Sequence, residues 1–356
     1  LMTFKKIPSI NGLRAISIFM VLFHHLEVQH ILMWDLSSIK WMIPFVHFIQ
    51  DGQLGVNVFF VISGFLITTL LLQEEYLTKT VSIKKFFIRR TLRIFPAYFF
   101  LLLIYAILQF VGYLNIPMEA WLTAVTYTKY FNWDIDWFTA HAWSLSVEEH
   151  FYLLWPCIFI LGNVYRKYVV IIILIIVPTL RLLVGLNTYS WFNELTLFAR
   201  IDAIAMGCFF ALYQKQIINL LHGKWLYIFG SSIVALFSLS LVFHYFSNNH
   251  IELFLMPIAA TIGIIANLAI ALLMMYSIFG NKGYWFKMLN LRFFNFIGIL
   301  SYSIYLWQQL FMIKSEHWYN QFPANIVCIL MAALASYYLI EKPFLRLKSR
   351  FQSSQK

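Results

Sequence analysis

Charged residues are scarce in this 356-residue chain: Asp, Glu, Lys and Arg make up 12% of it, roughly half the share of an average soluble domain. So few cannot cover a solvated surface, which excludes a soluble globular protein of this length. Cysteine is scarcer still. Cys157, Cys208 and Cys328 fall in three different apolar segments without motif spacing, and each reads as a small apolar filler. Linkers, low-complexity stretches and internal repeats are missing too, so residues 1–356 are expected to form a single membrane domain with no soluble appendage.

Hydrophobic residues take the space that charge leaves, at 61% with a mean hydropathy of +0.75. Runs such as "YVVIIILIIVPTLRLLVGL" (168–186) and "LMPIAATIGIIANLAIALLMMYSIF" (255–279) meet the ~20 residues a helix needs to cross hydrocarbon. Ten such segments are read near 11–30, 54–72, 94–112, 142–162, 168–186, 195–213, 225–245, 254–279, 293–313 and 323–340. The expected fold class is therefore all-α, a polytopic transmembrane bundle of about ten helices. The first segment follows Lys5 and Lys6 like a signal peptide, but no small-residue cleavage site comes after it, and it is kept as a helix.

Basic residues set the expected orientation. With the N-terminus inside, twenty Lys and Arg fall in cytoplasmic segments and three (Lys40, Lys129, Lys314) on the other side. Both termini are then cytoplasmic, and the net charge of +11 is a topology signal rather than a nucleic-acid footprint. His47, His141, His250, Asp134 and Asp136 all fall in outward segments.

An ionisable side chain within a membrane is a functional hypothesis by default. The set here is Arg14, His24, His25, Glu148, Glu149, Arg181, Arg200 and Asp202. Arg14 and His25 stand eleven residues apart, three turns plus about 20°, hence on one helix face and ~16 Å apart along the axis. A neutral imidazole in a dry site can take a proton from a hydroxyl; a hydrogen-bonded core histidine is the competing reading. In "HAWSLSVEEHFYLLWP" (141–156), Ser144, Glu148, Tyr152 and Trp155 share a face, with Glu149 about 100° away. Either carboxylate can orient a histidine, or both are simply interfacial and solvated. Arg181 and Asp202, in adjacent helices, can pair.

Two further stretches complete the candidate set. Ser63 and Gly64 interrupt the apolar "GVNVFFVISGFLITTLL" (55–71), giving close helix approach or room for a ligand. Arg90 and Arg93 in "KKFFIRRTLRIFPAYFF" (84–100) are neighbours on a helix face and suit an anion clamp for phosphates. Positive-inside anchoring accounts for Lys84, Lys85 and Arg89.

Taken together, the chain resembles the acyltransferase-3 family of integral membrane O-acyltransferases from about residue 8 to 345. The resemblance rests on Arg14 with His25, "GVNVFFVISGFLI", "RRTLRIFPAY", "WSLSVEEHFYLLWP", "RIDAIAMGCFFAL" (200–212), "SYSIYLWQQ" (301–309) and "YYLIEKPF" (337–344), in that order. Asn57 and Gln308 depart from the Asp and His that many members carry at these places.

The resemblance implies transfer of an acyl group, usually acetyl from acetyl-CoA, to a hydroxyl of an envelope polysaccharide, oligosaccharide or lipid-linked sugar. The expected place is the cytoplasmic membrane. An extracytoplasmic esterase-like domain, found in some members, is not expected here. On this reading His25 is the catalytic base, with Glu149, Glu148 and Arg14 in support. Arg90, Arg93, Arg14, Ser63 and Gly64 hold the donor, while Tyr152, Trp143, Trp137 and Asp202 face the acceptor. No metal is expected. Two rivals are a proton-coupled secondary transporter and an intramembrane metal-dependent hydrolase, although no two outward histidines have the i, i+4 zinc spacing.

Overall fold

A computed structural model describes residues 7–29, 31, 43–131, 136–186, 196–248 and 252–349. Asp134, His250, Lys5, Lys6, Lys40, Arg350 and Lys356 lie outside the described residues. Regular structure among the described residues is helical throughout. In chain order the helices are α1 (Ile10–Val28), α2 (Ile43–Ile49), α3 (Gly52–Thr78), α4 (Ile83–Phe110), α5 (Met118–Val125), α6 (Trp137–Ala140), α7 (Ala142–Ile160) and α8 (Asn163–Leu186). They continue with α9 (Thr196–Leu212), α10 (Gln214–Leu221), α11 (Trp225–Asn248), α12 (Glu252–Phe279), α13 (Tyr284–Leu289), α14 (Arg292–Phe311), α15 (Ala324–Ser336) and α16 (Lys342–Ser349). A π-turn at Tyr337–Glu341 joins α15 to α16.

Each of the ten expected segments carries a helix. Six stretches among the described residues are long and apolar enough to cross a membrane: Gly52–Thr78, Ile83–Phe110, Asn163–Leu182, Trp225–Val242, Ile262–Phe279 and Ala324–Lys348. A seventh is added if Arg200–Leu212 and Gln214–Leu221, bent by 78°, form one span. The protein is thus an all-α, multi-pass membrane protein. The difference from ten has a physical cause. α1, α7 and α14 have membrane length but carry Arg14, His24 and His25; Glu148, Glu149 and His150; and Ser301, Ser303, Gln308 and Gln309. These polar residues lower their hydropathy.

The chain folds as two compact units. The first comprises Leu1–Glu27, Met33–Gln73 and Leu161–Ile299. Within it α12 packs against α8, α9 and α11, and α3 crosses α9 where Gly64 meets Gly207. A methyl group on Gly64 would overlap the Ile204 carbonyl oxygen, and one on Gly207 that of Val61, so the two backbones are in direct contact. α1 lies on α3 in the same manner, with Gly55 under Ser17 and Met20, and Gly52 under the His24 ring.

The second unit comprises Val28–Leu32, Glu74–Ile160 and Leu300–Lys356. Here α4 packs against α7, α16 and the π-turn. Ser82 caps α4 by accepting from the Lys85 N–H at 3.3 Å. Two of the quoted motifs meet where Ser303 of α14 donates a hydrogen bond to the Glu341 carboxylate in the π-turn. Tyr302 beside it donates to the Ile94 carbonyl at 2.9 Å, and this bond ties α14 to α4.

Candidate functional site

In the first unit α1 is one continuous helix, so Arg14 and His25 keep the shared face that their spacing implies. Both are half-buried. The neighbouring histidine has a different environment. His24 lies on Gly52, and its Nδ1 donates to the Gln50 carbonyl oxygen at 3.1 Å. His24 is therefore held by packing and a backbone bond, while the His25 ring lies 5.6 Å from it, centroid to centroid.

Two expected ligand residues of this unit have structural surroundings instead. Asp202, expected to face the acceptor, is 1% exposed and accepts from Arg181 and from Asn267 Nδ2 through the same oxygen, Oδ2. Burial at that depth requires partners, and the pairing with Arg181 is the one its helix spacing allows. Gly64 was expected to leave room for the donor. That room is filled by α9, since the Ile204 carbonyl sits where a side chain would begin. Ser63 beside it is half-buried.

The second unit gathers the remaining candidates around Arg90. Its guanidinium lies over the Tyr152 ring at 5.0 Å and the Phe86 ring at 5.6 Å, a cation held by two aromatic faces. Glu148, Glu149 and Arg93 all lie within electrostatic range of it. Arg90 sits about two turns into α4, beneath α7, rather than on the open surface. Tyr152 differs from its expected role for the same reason: it is 4% exposed with Arg90 on its face, so its ring is no open platform for a sugar. Trp143 is half-buried, and Trp137 donates from its indole N–H to the Gln309 carbonyl at 3.0 Å.

Several residues of this site have no signal in the sequence pattern. Arg89, the neighbour of Arg90, is bridged to Glu74 at 2.6 Å, and Glu74 also accepts from the Ser82 N–H at 3.0 Å. That pair joins the end of α3 to the start of α4 and sets Arg89 apart as structural. Lys348 on α16 lies within the field of Arg93, Arg90 and Arg89, so a fourth cation reaches the same end of α4 from the far end of the sequence. Tyr127 is 7% exposed and stacks on Tyr98 at 4.7 Å and Phe95 at 5.6 Å. Burial, and after it the nearby Tyr98 and Glu149, pushes its phenol pKa above the usual value, so the hydroxyl stays a donor. Among the described residues no group of three His, Cys, Asp or Glu is placed to hold a metal ion.

Residues 7–342 match the family model for the acyltransferase domain of the acyltransferase-3 family. The chain belongs to that family. Among curated proteins it is similar to the O-acetyltransferase OatA of Staphylococcus aureus strain NCTC 8325 / PS 47, at 30% identity over 229 residues. The OatA of strain COL matches to the same extent, and in each case the aligned part is 58% of this chain and 34% of OatA. The chain thus spans about a third of the length of the curated relatives it matches. No solved structure matches it.

Proposed function

We propose that this acyltransferase-3 family member is a transmembrane O-acyltransferase. It moves an acyl group, acetyl in the first instance, from acyl-CoA at the cytoplasmic face to a hydroxyl of an extracytoplasmic or lipid-linked carbohydrate. The proposal includes ten crossings of the cytoplasmic membrane with both termini inside, the less apolar α1, α7 and α14 being spans shielded by their neighbours. The O-acetyltransferase OatA supports both the acetyl group and a hydroxyl acceptor. The observation that carries the reading is Arg90, a cation set between aromatic faces two turns inside α4, with Arg93 one turn further on. Such a pair suits a phosphate-bearing donor whose remaining arm must enter the protein.

The chemistry assigned to the residues is as follows. Arg90 and Arg93 hold the donor's phosphates, and Arg14 contributes a positive charge on the His25 face of α1. His25 removes the proton from the acceptor hydroxyl as its oxygen attacks the thioester carbonyl. The carbon–sulfur bond breaks, the coenzyme leaves as thiolate, and the imidazolium returns the proton to it. Glu148 is the carboxylate that supports His25, Glu149 faces the donor, and Trp143 and Trp137 border the acceptor's approach. The product is an ester on the sugar and a free coenzyme thiol. The test compares envelope glycans from cells with and without the gene by mass spectrometry. One acetyl on one sugar, present only with the gene, is the expected difference; identical glycans in both would sink the reading.

A further inference from the structure

Tyr127 combines two costs that a folded chain normally avoids with a ring packed as a core residue's would be. Its backbone is left-handed, with φ of 56°, a region that bulky side chains rarely adopt. The ring is buried among Phe95, Tyr98 and Phe99. Its hydroxyl is buried without a hydrogen-bond partner. Packing against aromatics explains the buried ring but not the polar tip, since phenylalanine would fill the same space.

The second observation lies on α7, against which the same segment packs through the Tyr130 ring, 5.5 Å from that of His150. Glu149 Oε1 is also buried without a partner, and Tyr127 and Glu149 lie within each other's field. Neither satisfies the other. A buried polar atom left unpaired costs several kcal/mol in an apolar surrounding, so two of them in one region of the unit mark a position where a third group belongs. That group must accept from the phenol and donate to the carboxylate. Arg90 lies close by, its guanidinium over the ring of Tyr152, one turn along α7 from Glu149.

We propose that Tyr127 and Glu149 form a subsite for an amide of the donor's pantetheine arm, next to the phosphates held at Arg90. The inference rests on the acyl-CoA reading above and extends it to a residue outside every motif quoted earlier. An amide presents a carbonyl and an N–H together, which matches one phenol donor and one carboxylate acceptor. The phosphates and the first amide are joined in a single molecule, as Arg90 and the subsite are joined in a single unit of the fold.

The test is titration calorimetry on the purified full-length protein with two probes: coenzyme A, and 3′-phosphoadenosine 5′-diphosphate, which lacks the arm. Tyr127→Phe keeps the ring and removes only the hydroxyl. It is expected to weaken coenzyme A binding roughly tenfold, the effect of one buried hydrogen bond, and to leave the armless probe unchanged. Tyr98→Phe is the control, because the Tyr98 hydroxyl already donates to the Ala124 carbonyl at 2.9 Å; it should not alter the ratio of the two affinities. If Tyr127→Phe binds coenzyme A as the parent does, a water bridges the pair and the proposal is overturned. Equal weakening of both probes makes Tyr127 a packing residue and overturns it too. A parent protein that binds neither probe overturns the donor reading itself, whereas a Tyr127→Phe result without effect leaves that reading standing.

Discussion

Two clusters of buried charge, one in each unit, are built differently. In the first, Arg181, Asp202 and Asn267 close on one another, and Asp51 accepts from Ser240 at 3.0 Å and from the Leu54 N–H at 2.9 Å. In the second, apart from the buried Lys129–Asp136 pair, Arg90, Arg93 and Lys348 share the start of α4 with Glu148 and Glu149 in range of Arg90. Single polar atoms of Tyr127 and Glu149 have no hydrogen-bond partner. A cluster of opposite charges holds helices together, even where single atoms such as Arg181 Nε and Asn267 Oδ1 stay without a hydrogen-bond partner. One that leaves cations crowded awaits something with the complementary charge and hydrogen bonds. His25 stands apart from this contrast, since its role is read from α1 and its neighbour His24, which is occupied by Gln50.

The largest effect is expected at His25. Removing a positioned general base costs ~10²–10⁴-fold in rate, so His25→Ala should abolish measurable transfer with normal membrane abundance and unaltered donor affinity. His24→Ala is the matched control: it loses a backbone bond and packing, and should keep substantial activity at somewhat lower stability. Parental transfer rates in His25→Ala would make Arg14 and His25 a structural pair.

Next comes the crowded end of α4. Changing Arg90 and Arg93 together to Ala removes two charge-assisted contacts, and acyl-CoA affinity should fall roughly a hundredfold. Unchanged binding by calorimetry would place the phosphates elsewhere. The Arg181–Asp202 pair should behave in the reverse manner. Asp202→Ala leaves a cation without its partner, and the expected loss is on the order of 2–3 kcal/mol of stability, below the ~3–5 of a fully buried pair because Arg181 keeps some exposure. It should appear as a lower Tm in detergent with unchanged acceptor KM. A raised KM at constant Tm would instead restore Asp202 to the acceptor site and break the contrast between the units.

The smallest effect is expected from Lys348. Being half-buried and screened, its replacement by Ala should weaken acyl-CoA binding only a few-fold. The effect should shrink as salt rises, measured by the same titration at two ionic strengths. A salt-independent loss would mean that α16 holds α4 by packing rather than by charge.

Much of the fold was legible in the sequence because a membrane imposes one period and one length. All ten apolar segments carry a helix, including α1, whose four ionisable residues, Arg14, His24, His25 and Glu27, argued against it. The short helices between them, such as α5, α10 and α13, were not expected, since eight residues or fewer carry too little periodicity. The π-turn at Tyr337–Glu341 was equally hidden: one extra residue in a turn comes from tertiary packing, and no local pattern encodes it.

At the site, Arg181 with Asp202 was readable because adjacent helices and matching depth leave few partners. Arg89 with Glu74 was not, because a turn separates them and Arg89 looked like any basic residue at a cytoplasmic end. Tyr127 sits in "VTYTKY", a stretch with no motif, and only its backbone angle and its orphaned hydroxyl single it out. Tyr152 was read as facing the acceptor, whereas its ring faces Arg90. Helical spacing tells which face a side chain takes, not which helix covers that face.

The link between Glu74, Arg89 and the Ser82 N–H has a consequence for recognition speed and affinity. It closes the hairpin of α3 and α4 at its tip, where Lys79 turns the chain through a left-handed residue with φ of 61°. On the proposed function, a donor arriving at Arg90 and Arg93 meets a helix start that is tied down at Arg89 and Ser82. Little ordering entropy is lost on capture, which leaves more of the phosphate attraction as net affinity. Severing that staple with Glu74→Gln would slow nothing in the chemistry, yet the coenzyme would dock on a softer, slower-settling edge.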